Sequence, residues 1–187
     1  MIIDKCLKII VMRYREYIKS DRIRYPKWYT KEAIWDWFLS SEQYQIRRYL
    51  KYLRSEEYFS YYKPITVLKY WYQRKRNRQG VKLGFFIHPG NFGLGLKLYH
   101  YGSVIINPKA RIGCNCTLHG NCCIGSKGGE DVSPIIGDNV DIGQNAQILG
   151  DICIADNVVV GAGAVVVKSC LQENSVLAGI PAKPIKE

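Results

Sequence analysis

One pattern limits what this chain can fold into. Stepping in sixes from position 88 to 166 meets His88, Leu94, His100, Ile106, Ile112, Leu118, Ile124, Glu130, Ile136, Ile142, Ile148, Ile154, Val160 and Val166. Eleven of these fourteen positions are Leu, Ile or Val. A period of six fits neither the 3.6-residue turn of a helix nor the two-residue alternation of a plain strand. It fits short strands wound around a shared core, each coil burying its apolar edge against the next. Glycine often follows the beat, at Gly113, Gly125, Gly137, Gly143 and Gly161. There it suits a left-handed backbone or a corner too crowded for a Cβ. A second apolar set recurs four residues after the beat, at Ala110, Cys116, Cys122, Val140, Ala146, Ile152, Val158 and Ala164. Most of these are small, as an inner wall between larger aliphatic layers requires. The stretch from about 88 to 180 has room for roughly five three-strand coils.

Charge divides the chain. Residues 1–80 hold 19 of the 27 Lys and Arg and 8 of the 16 Asp and Glu, a net charge of +11, so residues 81–187 are neutral. All four Trp and twelve of the fourteen Tyr also fall in 1–80. This predicts a basic, aromatic, helical segment at 1–80 and a neutral β-helical domain at 81–187. Residues 4–19 suit a helix, Thr30 suits the cap of one through Trp35, Trp37 and Phe38, and Ser41 suits the cap of a third. Pro64 suits the start of a fourth that Gly80 ends. Two readings of the segment stay open. One is a surface for an anionic partner: a phospholipid headgroup, a lipid-diphosphate carrier or an acidic polysaccharide. The other is an oligomer-contacting region with a solvated basic face. No nucleic-acid-binding motif is recognised.

No run reaches the ~18 uninterrupted apolar residues of a membrane span. Met1-Ile2-Ile3 is broken by Asp4 and Lys5, unlike the apolar core of a secretion signal. The expectation is a cytoplasmic protein, with the inner membrane face as one site of action for the basic segment. Cys114, Cys116, Cys122 and Cys123 surround His119, which invites a zinc reading. Packing is the better account, because Cys116 and Cys122 fill the small inward slot and a single residue separates Cys114 from Cys116. No metal is expected.

Several segments carry a family resemblance: Ile136-Gly137-Asp138-Asn139-Val140, Ile142-Gly143, Ile148-Leu149-Gly150-Asp151, Val160-Gly161-Ala162-Gly163-Ala164-Val165-Val166 and Ala178-Gly179-Ile180-Pro181-Ala182-Lys183. They resemble the left-handed β-helix acyltransferases. Ile87-His88-Pro89-Gly90, Gly93-Leu94-Gly95-Leu96 and His100-Tyr101-Gly102 are similar to the serine acetyltransferase branch. The resemblance covers about 81–185. It implies a mainly β fold, a left-handed parallel β-helix of about five coils after an α-helical segment, assembled as a homotrimer with 1–80 available for a higher oligomer.

The resemblance also implies roles. His100 aligns with the catalytic histidine, a general base that takes the acceptor hydroxyl proton; neutral imidazole suits this near pH 7. Acetyl-CoA is the implied donor, its arm lying between coils along Gly143, Gln144, Gly161 and Ala162. Lys168 and Lys183 suit its phosphates by charge alone, with solvated surface lysines as the alternative. His88 binds the acceptor or caps the first coil. His119 lies three hexapeptides beyond Tyr101 and so belongs to the same corner as His100, where it either lines the acceptor site or is structural. The insertion 126–134, which contains Glu130, belongs beside a cleft between subunits.

Three positions depart from the branch. Where serine acetyltransferases carry an Asp before the His-Pro pair, an acid before the catalytic histidine and a later His-Pro, this chain has Phe86, Tyr99 and Ser133-Pro134. The chain therefore looks more like the O-acetyltransferases of capsule and exopolysaccharide assembly, which follow the histidine with an Ile-Asn pair, here Ile106-Asn107. The preferred expectation is acetylation of a sugar hydroxyl in surface polysaccharide biosynthesis, with Tyr99, Asn107 and Ser133 near the acceptor. Serine O-acetylation is one alternative. Another is a zinc hydrolyase resembling the γ-type carbonic anhydrases, which use three histidines, although the spacings between His88, His100 and His119 do not match their ligand pair. A non-catalytic scaffold is the last.

Overall fold

The structure is a computed structural model that describes residues 14–25, 31–128 and 132–185, without the side chain of Glu32. It divides into two compact units, Met1–Gln79 and Gly80–Glu187. Thr30 and Glu130 lie outside the described residues.

The first unit is helical: α1 (Tyr14–Arg22), α2 (Lys31–Phe38), α3 (Glu42–Glu57), a π-helical turn (Tyr58–Tyr62) and the start of α4 (Thr66–Leu83). Ser41 caps α3, its Oγ accepting the Tyr44 N–H at 3.3 Å, which satisfies one of the orphan amides of a helix start. Ile46, Tyr49, Leu50 and Leu53 form the buried face of α3. Beside them Arg54 is 1% exposed and is held by Asp21 at 2.7 Å and Glu57 at 2.8 Å. Arg76 is likewise buried against Glu56 at 2.6 Å. A buried guanidinium survives only when paired in this way.

Gly80 does not end the last helix. α4 continues to Leu83, and Gly84 takes the left-handed turn with φ +76°. A glycine inside a helix costs only about 1 kcal/mol relative to alanine, so the helix passes it. At Gly84 a Cβ would come within 2.5 Å of the Gly102 carbonyl oxygen, so that position excludes a side chain. No described helix is long and apolar enough to cross a membrane.

The second unit is a stack of short strands: β1 (Phe85–Phe86), β2 (Lys97–Leu98), β3 (Val104–Ile106), β4 (Arg111–Ile112), β5 (Thr117–Leu118), β6 (Cys123–Gly125), β7 (Ile135–Ile136), β8 (Asp141–Ile142), β9 (Gln147–Leu149), β10 (Cys153–Ile154), β11 (Val159–Val160), β12 (Val165–Val166), β13 (Val176–Gly179) and β14 (Ala182–Pro184). They form three sheets. The first is β1-β3-β6-β9-β12, the second β4-β7-β10, and the third β2-β5-β8-β11-β13, closed by antiparallel β14. Bridges Phe92–Ile112 and Ile154–Cys170 extend the second sheet by one level at each end. Each turn of chain visits the three faces in order, which makes a parallel β-helix. The aliphatic beat from Ile106 to Val166 is buried wherever it is described, and so is every member of the smaller set from Ala110 to Ala164.

Register explains the breaks in the beat. Ile106 pairs with Ile124 and Ile142 with Val160, each three hexapeptides on. Ile112 pairs with Ile136 and Leu118 with Ile142, each four hexapeptides on. The segment after β6 supplies that extra hexapeptide. In the first coil Leu98 pairs with Leu118, a separation that exceeds three hexapeptides by two. The surplus sits in the corner after β2, and the stride of six run back from Ile106 lands on His100 instead of Leu98. His100 replaces no core aliphatic: Leu98 is 1% exposed and His100 is exposed at the corner. Ile87, fully buried, holds the core place that the stride assigns to His88.

The corners divide the work between Asn and Gly. Left-handed backbone falls on Asn115, Asn139 and Asn157, with φ of 58°, 57° and 61°. These stack, Asn115 Nδ2 donating to Asn139 Oδ1 at 3.1 Å and Asn139 Nδ2 to Asn157 Oδ1 at 3.0 Å. Asparagine tolerates this conformation better than most side chains. At Gly113, Gly137 and Gly143 the glycine after the beat answers to crowding instead. A Cβ on Gly113 would meet the Gly137 carbonyl carbon at 2.6 Å, and one on Gly143 would meet the Ala162 nitrogen at 2.6 Å.

Candidate functional site

The corner between the third and first sheets carries an open groove of about 380 Å³. It is lined by His100, His119, Asp141, Gly143, Gln144, Val159, Val160, Gly161 and Ala162. The strand register puts these side chains in one column. Tyr99, His119, Gly143 and Gly161 each follow the last residue of β2, β5, β8 and β11. His100, Gly120, Gln144 and Ala162 come next along the chain. Gly120 lies beneath His100: a Cβ there would be 3.6 Å from His100 Cβ.

His119 is fixed on two sides. Its Nε2 lies 2.8 Å from Asp141 Oδ1, and its ring stacks on Tyr99 with centroids 4.5 Å apart and planes 9° apart. Tyr99 is held in turn by Lys97, whose Nζ donates to the Tyr99 hydroxyl at 2.9 Å. With a neutral ring, a carboxylate at Nε2 selects the tautomer that has its proton there and leaves Nδ1 as an acceptor. The residue stacked on His119 is Tyr99 and not Tyr101, because the first coil is longer than the regular three hexapeptides.

The candidate residues separate into two groups. His100, His119, Gly143, Gln144, Gly161 and Ala162 share the groove, and Tyr99 backs it. His88, Asn107 and Ser133 do not line it. They occupy the corner between the first and second sheets, after β1, after β3 and before β7. His88 donates its backbone N–H to Asn91 Oδ1 at 2.8 Å and meets the edge of Phe86, centroids 4.8 Å apart. Asn107 uses its Oδ1 to accept the Lys109 N–H at 2.9 Å, the bond of a tight turn. Ser133 is 9% exposed, and among the described residues its Oγ has no hydrogen-bond partner. Lys168 and Lys183 are exposed and stay out of the groove: Lys168 follows β12 in the first sheet and Lys183 lies in edge strand β14.

As groove-lining residues Asp141, Val159 and Val160 escape the sequence reading, and so does Gly120 beneath His100. Asp141 becomes visible only once the insertion is counted into the register, which sets it beside Thr117. Cys116 and Cys122 are buried in the core, and burial pushes the Cys122 thiol above its ordinary value. Among the described residues no three His, Cys, Asp or Glu side chains converge to hold a metal ion. Within a single chain His88 stands at a different corner from His100 and His119.

A three-faced parallel β-helix paced by hexapeptides, with histidines on one corner, is the architecture of acyl-group transferases of the hexapeptide class. The family model "Bacterial transferase hexapeptide (six repeats)" matches residues 133–168. Serine acetyltransferase of Staphylococcus xylosus is 39% identical over 107 residues, 56% of this chain and 49% of the relative. The chain thus spans about half the length of the curated relatives it matches. Neisseria gonorrhoeae serine acetyltransferase, solved in complex with serine, is 30% identical with a TM-score of 0.63, over 95% of this chain and 69% of that one. Brucella abortus serine acetyltransferase, solved in complex with coenzyme A, is 25% identical with a TM-score of 0.70, over 93% and 66%. The chain belongs to the hexapeptide-repeat transferases, in the group that holds the serine acetyltransferases. The β-helix of that group winds left-handed. These relatives correct the expected leaning toward capsular and exopolysaccharide enzymes, since they are serine acetyltransferases.

Proposed function

We propose that the protein is an acetyl-CoA-dependent O-acetyltransferase working by direct transfer. The observation that carries this is the sharing of one groove by His100 and the small-residue column Gly143, Gln144, Gly161 and Ala162. The column leaves room for the donor arm beside backbone. In the step, the acceptor oxygen attacks the thioester carbonyl while the His100 imidazole takes the hydroxyl proton. The tetrahedral oxyanion then collapses, the C–S bond breaks, and the imidazolium returns its proton to the departing thiolate. Products are an acetate ester and free coenzyme A. His119, oriented by Asp141 and Tyr99, presents Nδ1 as an acceptor that aligns a second hydroxyl or ammonium of the acceptor molecule.

The relatives support L-serine as the acceptor, including the one solved with serine. A second reading, a sugar hydroxyl, is supported by one observation. By resemblance, Phe86, Tyr99 and Ser133 stand where the serine acetyltransferase branch carries two acids and a histidine. The deciding experiment follows acceptor-dependent thiol release from acetyl-CoA with L-serine and with nucleotide-linked and lipid-linked sugars. Turnover with serine alone establishes the first reading, and turnover with a sugar alone establishes the second. Thiol release that no acceptor stimulates rejects both.

We further propose a homotrimer in which the His88–Asn107–Ser133 corner of one chain faces the His100 groove of its neighbour. The buried Ser133 hydroxyl, without a partner among the described residues, supports this.

A further inference from the structure

The helical unit carries its own groove, of about 560 Å³, between α1, α2 and α3. Arg22, Arg47, Arg48 and Lys51 line it together with Trp37 and Tyr44, and among the described residues no carboxylate lines it. We propose that this groove binds a diphosphate-bearing small molecule with a planar or apolar group attached, the chemistry of a nucleoside diphosphate.

Three observations carry this. The volume lies within the roughly 300–1,000 Å³ of small-ligand pockets. The same unit neutralises its structural arginines locally: Arg54 against Asp21 and Glu57, Arg76 against Glu56. Arg47 and Arg48 in the groove are held differently. Asp36 meets Arg47 at 3.0 Å from outside the lining, and Arg48 donates to the neutral Tyr52 hydroxyl at 3.0 Å. Burial and the neighbouring Arg47 both push the Arg22 guanidinium below its ordinary value. Like charges gathered in a concave site are relieved by an anion, and guanidinium forks match phosphate oxygens in pairs. The Trp37 and Tyr44 rings supply faces for a planar or apolar group.

The test is calorimetric titration of the full chain with UDP and with inorganic pyrophosphate at fixed ionic strength. The expected result is saturable binding at one site per chain, tighter for UDP. It should weaken at least tenfold in the Arg48→Ala/Lys51→Ala double variant, whose side chains are exposed. A Lys109→Ala/Lys127→Ala variant removes the same charge from the other unit and should bind as the parent does. Absence of saturable binding overturns the proposal, as does equal weakening in the two double variants. Binding to phosphatidylglycerol vesicles without binding to either soluble probe overturns it in favour of a membrane surface. The titration needs no turnover, so its outcome is independent of the acetyl-transfer reading.

Discussion

His119 Nε2 lies 2.8 Å from Asp141 Oδ1, on adjacent coils of the third sheet. The pair fixes which ring nitrogen carries the proton, and the stacked Tyr99 fixes the ring plane. Asp141→Asn keeps the shape and removes the charge. The expected outcome is a rise of about tenfold in the KM for acceptor, the size of one lost charge-assisted hydrogen bond of about 1.4 kcal/mol. The KM for acetyl-CoA should stay within about twofold of the parent value. Steady-state kinetics with each substrate varied in turn gives the answer, and a change confined to acetyl-CoA would move the pair to the donor side.

Ala162 is exposed and lines the groove without supporting the core. Ala162→Phe should therefore fill the donor path and leave folding intact. The KM for acetyl-CoA is expected to rise by about tenfold or more, equivalent to at least ~1.4 kcal/mol, with an unchanged thermal midpoint. An unaltered KM would place the donor elsewhere.

Core and corner make separable predictions. Ile142 is fully buried, and Ile142→Ala should cost about 2–5 kcal/mol in denaturant unfolding of the β-helical unit. Thiol labelling should follow burial. Among the described cysteines, Cys153 is exposed and should react first, whereas Cys116 and Cys122 are buried and should react only on unfolding. The raised Cys122 thiol shifts its reactive thiolate to higher pH, so its labelling falls further behind at neutral pH. Rapid labelling of Cys122 in the native protein would contradict the packing.

The trimer proposal is tested by mixing inactive variants. If the site is shared between chains, His100→Ala and a Ser133→Trp variant, each inactive alone, should regain a fraction of activity when co-expressed. Light scattering should give three chains per particle. Failure of any pair to complement, with a monomer in solution, would reject a shared site.

The solenoid was legible because its physics repeats. A core residue recurs at every sixth position, and one wrong assignment is outvoted by its neighbours above and below. Ser41 as a cap was legible for a local reason, since its partner Tyr44 lies within the first turn of the same helix. The errors fall where register changes. The longer corner after β2 made His100 look like a core substitution and matched His119 with Tyr101 instead of Tyr99. The extra hexapeptide before β7 hid Asp141, because its contact with His119 spans a coil of altered length. Lys168 and Lys183 stand outside the groove, and charge alone does not say which face of a β-helix a side chain occupies.

The central claim is that His100 is the base of an acetyl transfer. It is tested most directly by acceptor-dependent thiol release from acetyl-CoA in His100→Ala, with circular dichroism confirming the fold. The account predicts a fall in kcat of about 10²–10⁴-fold with little change in the KM for acetyl-CoA. An unchanged kcat in a folded variant would contradict it.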